Sequence, residues 1–187
     1  MAGIPYYFIE NSISMFPDIA NSSKKTIFMF PTNFEGIPEK DNFHAPGRKF
    51  CIRITEEQAR ELESMGINVK TTKENPEKVY NEPFVPKHYI TVRMKYKFEG
   101  GWRNPKVYLV SGDNPPVEYG PENFKNLDDM YETIDEIKVK LNVYKHDKGY
   151  SLYVDVMYLI QHQEQDPWYR AYHPVHDNIT DPDELPF

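Results

Sequence analysis

The sequence predicts a mainly β domain with one clear helix and long loops, and three observations carry that expectation. Short runs of β-branched and aromatic residues alternate with polar ones at a period of two. Clusters of Gly, Pro, Asn and Asp separate these runs. Only one segment combines helical periodicity with signals at both ends. At 187 residues, 27% charged and 39% hydrophobic, the chain has the length for one folded domain with a substantial core.

Residues 1–23 mix Tyr6, Tyr7, Phe8 and Phe16 with polar and turn residues. They read as an arm packed on the body or on another subunit. Residues 26–34 are expected to form the first strand, Ile27 and Met29 facing one way and Phe28 and Phe30 the other. A loop through Gly36, Pro38, Asn42 and Gly47 leads to residues 49–54, where Phe50, Ile52 and Ile54 point inward. Thr55 and Gln58 then have capping-box spacing, Ala59 and Leu62 form an apolar side, and Gly66 is placed to end the helix. Residues 67–72 read as a strand, followed by a charged loop over 73–86.

The second half alternates more plainly. Residues 88–98 place Ile90, Val92, Met94, Tyr96 and Phe98 on one face. Glu99-Gly100-Gly101 is expected to turn the chain so that residues 106–111 return beside that strand. A short helical turn over 121–130 precedes two long strands, 134–144 and 150–161, joined as a hairpin by Asp147-Lys148-Gly149. Six or seven short strands must close or stack to bury one face. A partly open Greek-key barrel of the OB type is the expected architecture; a β-sandwich is the alternative that periodicity does not separate from it. Residues 24–163 make this domain, and 164–187 an acidic tail expected to be disordered.

The formal net charge of −7 argues against nucleic acid until it is located. Residues 164–187 hold six acids against Arg170, which is −5, so residues 1–163 carry only −2. Binding to phosphates depends on where positive charge lies, not on the total. No apolar run approaches the roughly 20 residues that cross a bilayer, so no membrane partner is expected. The N-terminus lacks the pattern of a signal peptide. A lone Cys51 excludes an internal disulfide framework and fits a reducing, cytoplasmic setting.

The polar side of the strands is more informative. Opposite the apolar residues of 88–98 stand Tyr89, Thr91, Arg93, Lys95 and Lys97, followed by Trp102 and Arg103, then Lys106 and Tyr108. Lys138, Lys140, Asn142 and Tyr144 face outward on 134–144, and Tyr153 and Met157 are expected on the outer side of the last strand. Arg48, Lys49 and Arg53 extend the set, the last two depending on strand phase. Cations neutralise a phosphate backbone, while rings stack on bases outside a duplex at roughly 1–3 kcal/mol each. Any one of these residues alone would be an ordinary solvated position on an antiparallel sheet. Together they point to single-stranded nucleic acid.

The chain closes on Asp181-Pro182-Asp183-Glu184-Leu185-Pro186-Phe187. An aromatic ring beside a carboxylate, after a run of acids, suits a pocket with a basic rim. Asp181, Asp183, Glu184, Leu185, Pro186 and Phe187 are therefore the candidate partner-binding residues. The segment resembles the C-terminal tip of bacterial single-stranded DNA-binding proteins, with Leu185 where Ile is usual and Pro182 interrupting the acidic run.

The body carries a second resemblance. Asn33-Phe34-Glu35-Gly36, Asn42 and Gly47-Arg48-Lys49-Phe50 come first, then the capped helix with Gly66-Ile67-Asn68-Val69-Lys70. Residues 88–97, Pro105-Lys106-Val107-Tyr108-Leu109-Val110 and Ile134-Asp135-Glu136-Ile137 follow. Across residues 26–161 this resembles the single-stranded DNA-binding proteins encoded by bacteriophages. The resemblance implies an OB-fold that coats single-stranded DNA in replication or recombination, within the host cytoplasm. It places Phe34, Arg48 and Phe50 in the segment that opens the barrel. By the same implication, the tip recruits replication or recombination proteins.

Enzyme signals are sparse. Asp128, Asp129, Asp135 and Glu136 could suggest a metal-dependent nuclease, although such acids more often solvate loops and helix ends. His162, His173 and His176 with Asp177 match no compact zinc spacing. No phosphate-cradling Gly loop, Ser elbow or supported Cys/His pair is present, so no catalysis, metal or cofactor is expected. A non-enzymatic protein-interaction or DNA-mimic factor is the other reading, which the net acidity suits. A homo-oligomer is compatible with either.

Overall fold

The computed structural model describes residues 6–20, 22, 25–81, 83–96 and 104–162. Its strands are β1 (Tyr6–Ser12), β2 (Arg48–Ile54), β3 (Lys70–Thr71), β4 (His88–Met94), β5 (Lys106–Ser111), β6 (Val117–Tyr119), β7 (Glu136–His146) and β8 (Gly149–Gln161). All eight join one mixed sheet along the path β1-β7-β8-β4-β2, with β3 on β4, β5 on β8 and β6 on β5. The helices α1 (Pro17–Ala20), α2 (Glu56–Ser64) and α3 (Phe124–Asp129) are short. The protein is mainly β. Among the described residues no helix is long and apolar enough to cross a membrane.

Local signals hold where local chemistry suffices. The β7–β8 hairpin turns through Asp147-Lys148, and Gly149 sits at φ +131°, a backbone state that a side chain would strain. At α2 the Thr55 hydroxyl oxygen accepts the Gln58 N–H at 3.2 Å, while the Gln58 side-chain oxygen accepts the Thr55 N–H at 3.0 Å. Ala59 and Leu62 are the buried side of that helix.

The arm is a sheet strand. β1 runs antiparallel to β7, buries Tyr7, Ile9 and Asn11, and exposes Tyr6, Phe8 and Glu10. Conversely, residues 26–34 form no continuous strand. They touch β2 through two bridges, Phe28 to Ile52 and Asn33 to Lys49. Five residue steps on one side therefore match three on the other, and Pro31 between the bridges has no N–H to give. Ile27 and Phe28 both end up buried, instead of facing opposite ways. The strand expected over 67–72 shortens to the two residues of β3.

The return hairpin expected at residues 99–101 is replaced by a different pairing. β4 and β5 both run parallel to β8, one beyond the other on the same edge, with Arg93 opposite Tyr153 and Lys106 opposite Val156. β8 is 13 residues long and β4 only 7. The rest of its edge needs another partner for its N–H and C=O groups, and β5 supplies it.

A register shift between β7 and β8 changes a second expectation. Leu141 pairs with Val154 and Lys140 with Val156, leaving Asp155 as the extra residue of a bulge. Because side chains alternate with period two, one inserted residue reverses the faces beyond it. Leu152 and Val154 point inward before the bulge, Met157 and Leu159 after it. Met157 is thus core, not outer face.

The core fills the concave side of this sheet. Phe34 packs on Phe28, Phe50 and Phe124 with ring centroids 5.1–6.0 Å apart. The two ends of the path come back together. The Asn11 side-chain amide of β1 donates to the Arg53 carbonyl of β2 at 2.7 Å, and the Ile27 N–H donates to the Ile134 carbonyl at 3.1 Å.

Candidate nucleic-acid interface

The convex face of β2 and β4 carries a groove of about 670 Å³. Its floor is set by register: Lys49 lies opposite Arg93, Cys51 opposite Thr91, and Tyr89 beside Lys70 of β3. Phe30, Asn33, Lys40 and Phe43 line one side; Asn68, Tyr150 and Ser151 line another. The Phe30 ring stands edge-on to Tyr89, 5.2 Å away at 85°.

The loop that carries Phe43 is held by two carboxylates. Asp128, at the end of α3 and buried, accepts hydrogen bonds from the Thr32 hydroxyl (2.7 Å) and the N–H groups of Phe34 (2.8 Å) and Glu35 (3.0 Å). Lys40 lies 3.6 Å from the same carboxylate. Asp41 accepts the N–H groups of Phe43 and Ala45 and pairs with Lys49. The Lys49 ammonium, aided by those N–H groups, holds the Asp41 carboxyl down to about 2. The loop is therefore pinned at its base, while Phe43 at its tip is 89% exposed. Gly36, at φ +73°, permits the close approach of Arg48, whose Cγ would lie 3.1 Å from an added Cβ.

Charge in the groove is unequal. Lys40, Lys49, Lys70 and Arg93 line it, against the single acid Asp41. Burial alone would lower the Lys40 ammonium, but Glu35 and Asp128 outweigh it and raise it. Lys40 and Lys49 are committed to the loop, whereas among the described residues Lys70 and Arg93 pair with no acid. Four rings (Phe30, Phe43, Tyr89 and Tyr150) stand around these cations. A groove with surplus positive charge, half-exposed rings and several amide side chains can hold a phosphate backbone while its bases lie on the rings.

The predicted residues separate into groups. Tyr89 and Arg93 lie in the groove, and Lys95 is exposed just beyond β4. Arg48 turns inward: its guanidinium donates to the Phe34 carbonyl at 2.6 Å and sits 5.6 and 5.4 Å from the Tyr96 and Phe124 ring centres. Arg53 is buried and bonded to Asp18 at 2.6 and 2.8 Å, with Phe16 beneath it. It anchors the N-terminal arm to β2, so it does not present its charge to the groove. Lys106, Tyr108, Lys138 and Lys140 lie on β5 and β7, a separate stretch of the convex face. There Lys138 pairs with Glu10 and Lys140 with Asp155. Tyr144 stands edge-on to Tyr153 at 5.4 Å, toward the hairpin end. Lys97, Trp102, Arg103 and the six tip residues lie outside the described residues.

Sequence reasoning missed Phe30, Phe43, Lys70 and Tyr150. Phe43 had a usable signal: an aromatic within a stretch of Gly, Pro, Asn and Asp has no strand face to bury it. The others become groove residues only through pairing. Lys49 joins them because β2 and β4 register it with Arg93.

The acids weighed for a nuclease are dispersed in role. Asp128 pins the loop, and Asp135 and Glu136 hold His162, whose ring nitrogen is 2.8 Å from Glu136. Among the described residues no group of three or more His, Cys, Asp or Glu is arranged to hold a metal ion. No protein-family model, curated protein or solved structure matches the chain.

Proposed function

We propose that this protein binds single-stranded DNA in the β2–β4 groove, as a non-enzymatic coating protein of the kind bacteriophages encode. The observation that carries the reading is the groove itself: Lys70 and Arg93 beside the loop-bound Lys40 and Lys49, with the rings of Phe30, Phe43, Tyr89 and Tyr150 among them, on the outer face of paired strands. Topology supports an OB-type barrel. The segment around Phe28, then β2, β4, β8 and β7, gives five neighbours in order, with the β4–β8 pair parallel and the others antiparallel. In OB-folds nucleic acid lies across the second and third strands, between the loop that follows the first strand and the loop of the last hairpin. Here those positions correspond to β2 and β4, the Phe43 loop, and the start of β8.

The test is a titration of oligo-dT and of duplex DNA of equal length at several salt concentrations. Tight, salt-sensitive binding to the single strand alone is expected, with a fall in affinity for Phe43→Ala. No binding at low salt favours the interaction-module reading. Strand cleavage with added Mg²⁺ or Mn²⁺ favours the nuclease.

The tip has a separate role in the proposal. It recruits replication or recombination enzymes while the barrel holds DNA, its acids and Phe187 matching a basic-rimmed pocket. Deleting residues 181–187 is expected to leave affinity for oligo-dT equal or higher while abolishing partner capture. A large loss of DNA affinity in that deletion counts against it.

A further inference from the structure

The convex face continues past the groove over β5, β8, β7 and β1, and its chemistry changes there. Register places Lys106, Val156, Lys140 and Phe8 in one row and Glu118, Tyr108, Tyr158, Lys138 and Glu10 in the next. Tyr108 and Tyr158 stack at 5.0 Å with an interplanar angle of 18°. Phe8 is 54% exposed, Tyr158 38%, and Tyr6 at the adjoining end of β1 51%. Large exposed apolar groups gathered on one sheet face mark a docking surface.

Its charge selects the occupant. Lys106, Lys138 and Lys140 meet Glu10, Glu118 and the buried Asp155, so three cations face three acids. A phosphate backbone needs a surplus of positive charge, and so does an acidic peptide; this face offers neither. A two-fold contact instead sets a surface against itself. There a net charge would repel its copy, and local neutrality removes that cost. With β6 included, five strands about 4.8 Å apart give a patch roughly 20 Å wide, the centre of a two-fold contact whose rim the neighbouring segments complete.

We infer that this face joins two copies of the chain, rings against rings, leaving the β2–β4 groove of each copy open. The inference is independent of what the groove binds.

The experiment measures the mass of the full chain against concentration by sedimentation, for wild type and for Phe8→Lys and Tyr158→Lys. Wild type is expected to move from 22.1 kDa toward twice that value as concentration rises through the micromolar range. Each substitution places one net charge per copy on the shared face and is expected to weaken association about tenfold or more. Each new Lys lies across from Lys140 or Lys138, and Tyr158→Lys also loses the Tyr108 stack, so a small fall in melting temperature is expected and association is measured well below it. Affinity for a six-nucleotide oligo-dT should not change. A mass of 22.1 kDa at every concentration overturns the inference. So does association unaffected by both substitutions, which would leave this face to another occupant. Unchanged mass with lost oligonucleotide affinity assigns the face to nucleic acid and equally overturns it.

Discussion

Asp128→Ala is expected to cost about 3–5 kcal/mol of stability, read as a lower urea midpoint with an unchanged slope. The carboxylate is buried and collects the Thr32 hydroxyl and two backbone N–H groups at 2.7–3.0 Å, with Lys40 at 3.6 Å. Removing it strands all of those donors in a poorly solvated site. Asp129, adjacent in sequence but exposed, is the control, and Asp129→Ala should stay within about 0.5 kcal/mol of wild type. Equal, small effects would mean that Asp128 does not hold the loop. Because that loop carries Phe43, affinity for oligo-dT should fall in Asp128→Ala even under conditions where the variant is folded.

Tyr89→Ala should weaken oligo-dT binding by roughly 1–3 kcal/mol, about 5- to 150-fold, because the groove loses one stacking ring. The edge-on contact with Phe30 fixes the orientation of that ring, so part of the loss reflects disorder of Phe30. Arg93→Ala should act differently. It removes one phosphate contact, so the dependence of log affinity on log salt should fall by about 0.7. Base preference should stay the same. Wild-type titrations for both variants would mean that the strand of nucleic acid does not follow the β2–β4 face.

These two predictions differ in how visible their residues were in the sequence. Tyr89 and Arg93 followed from alternation along one strand, since a strand with one apolar face must show its other face outward. Asp128 read as a surface acid at a helix end, and nothing local distinguishes it from Asp129. Its partners Thr32, Phe34 and Glu35 are more than 90 residues away. Arg53 and Met157 moved off the expected face for similar reasons. Arg53 is covered by Asp18 and Phe16 of the arm, and Met157 is turned inward by the Asp155 bulge.

The amino-acid order by itself determined the elements that rest on neighbours: the Thr55–Gln58 cap, the turn before Gly149, and the inward residues of β2, β4 and β7. Each depends on side chains a few positions apart, so periodicity and turn chemistry suffice. Tertiary structure alone decided that β4 and β5 share one edge of β8 and that residues 6–12 form a strand on β7. It also decided which cations keep their charge available. Lys49, Lys138 and Lys140 each meet an acid (Asp41 of the loop, Glu10 of β1 and Asp155 of the bulge), whereas Lys70 and Arg93 lie beside Tyr89 and Lys49. That is settled by register between strands distant in sequence, where a shift of one residue exchanges the buried and exposed faces.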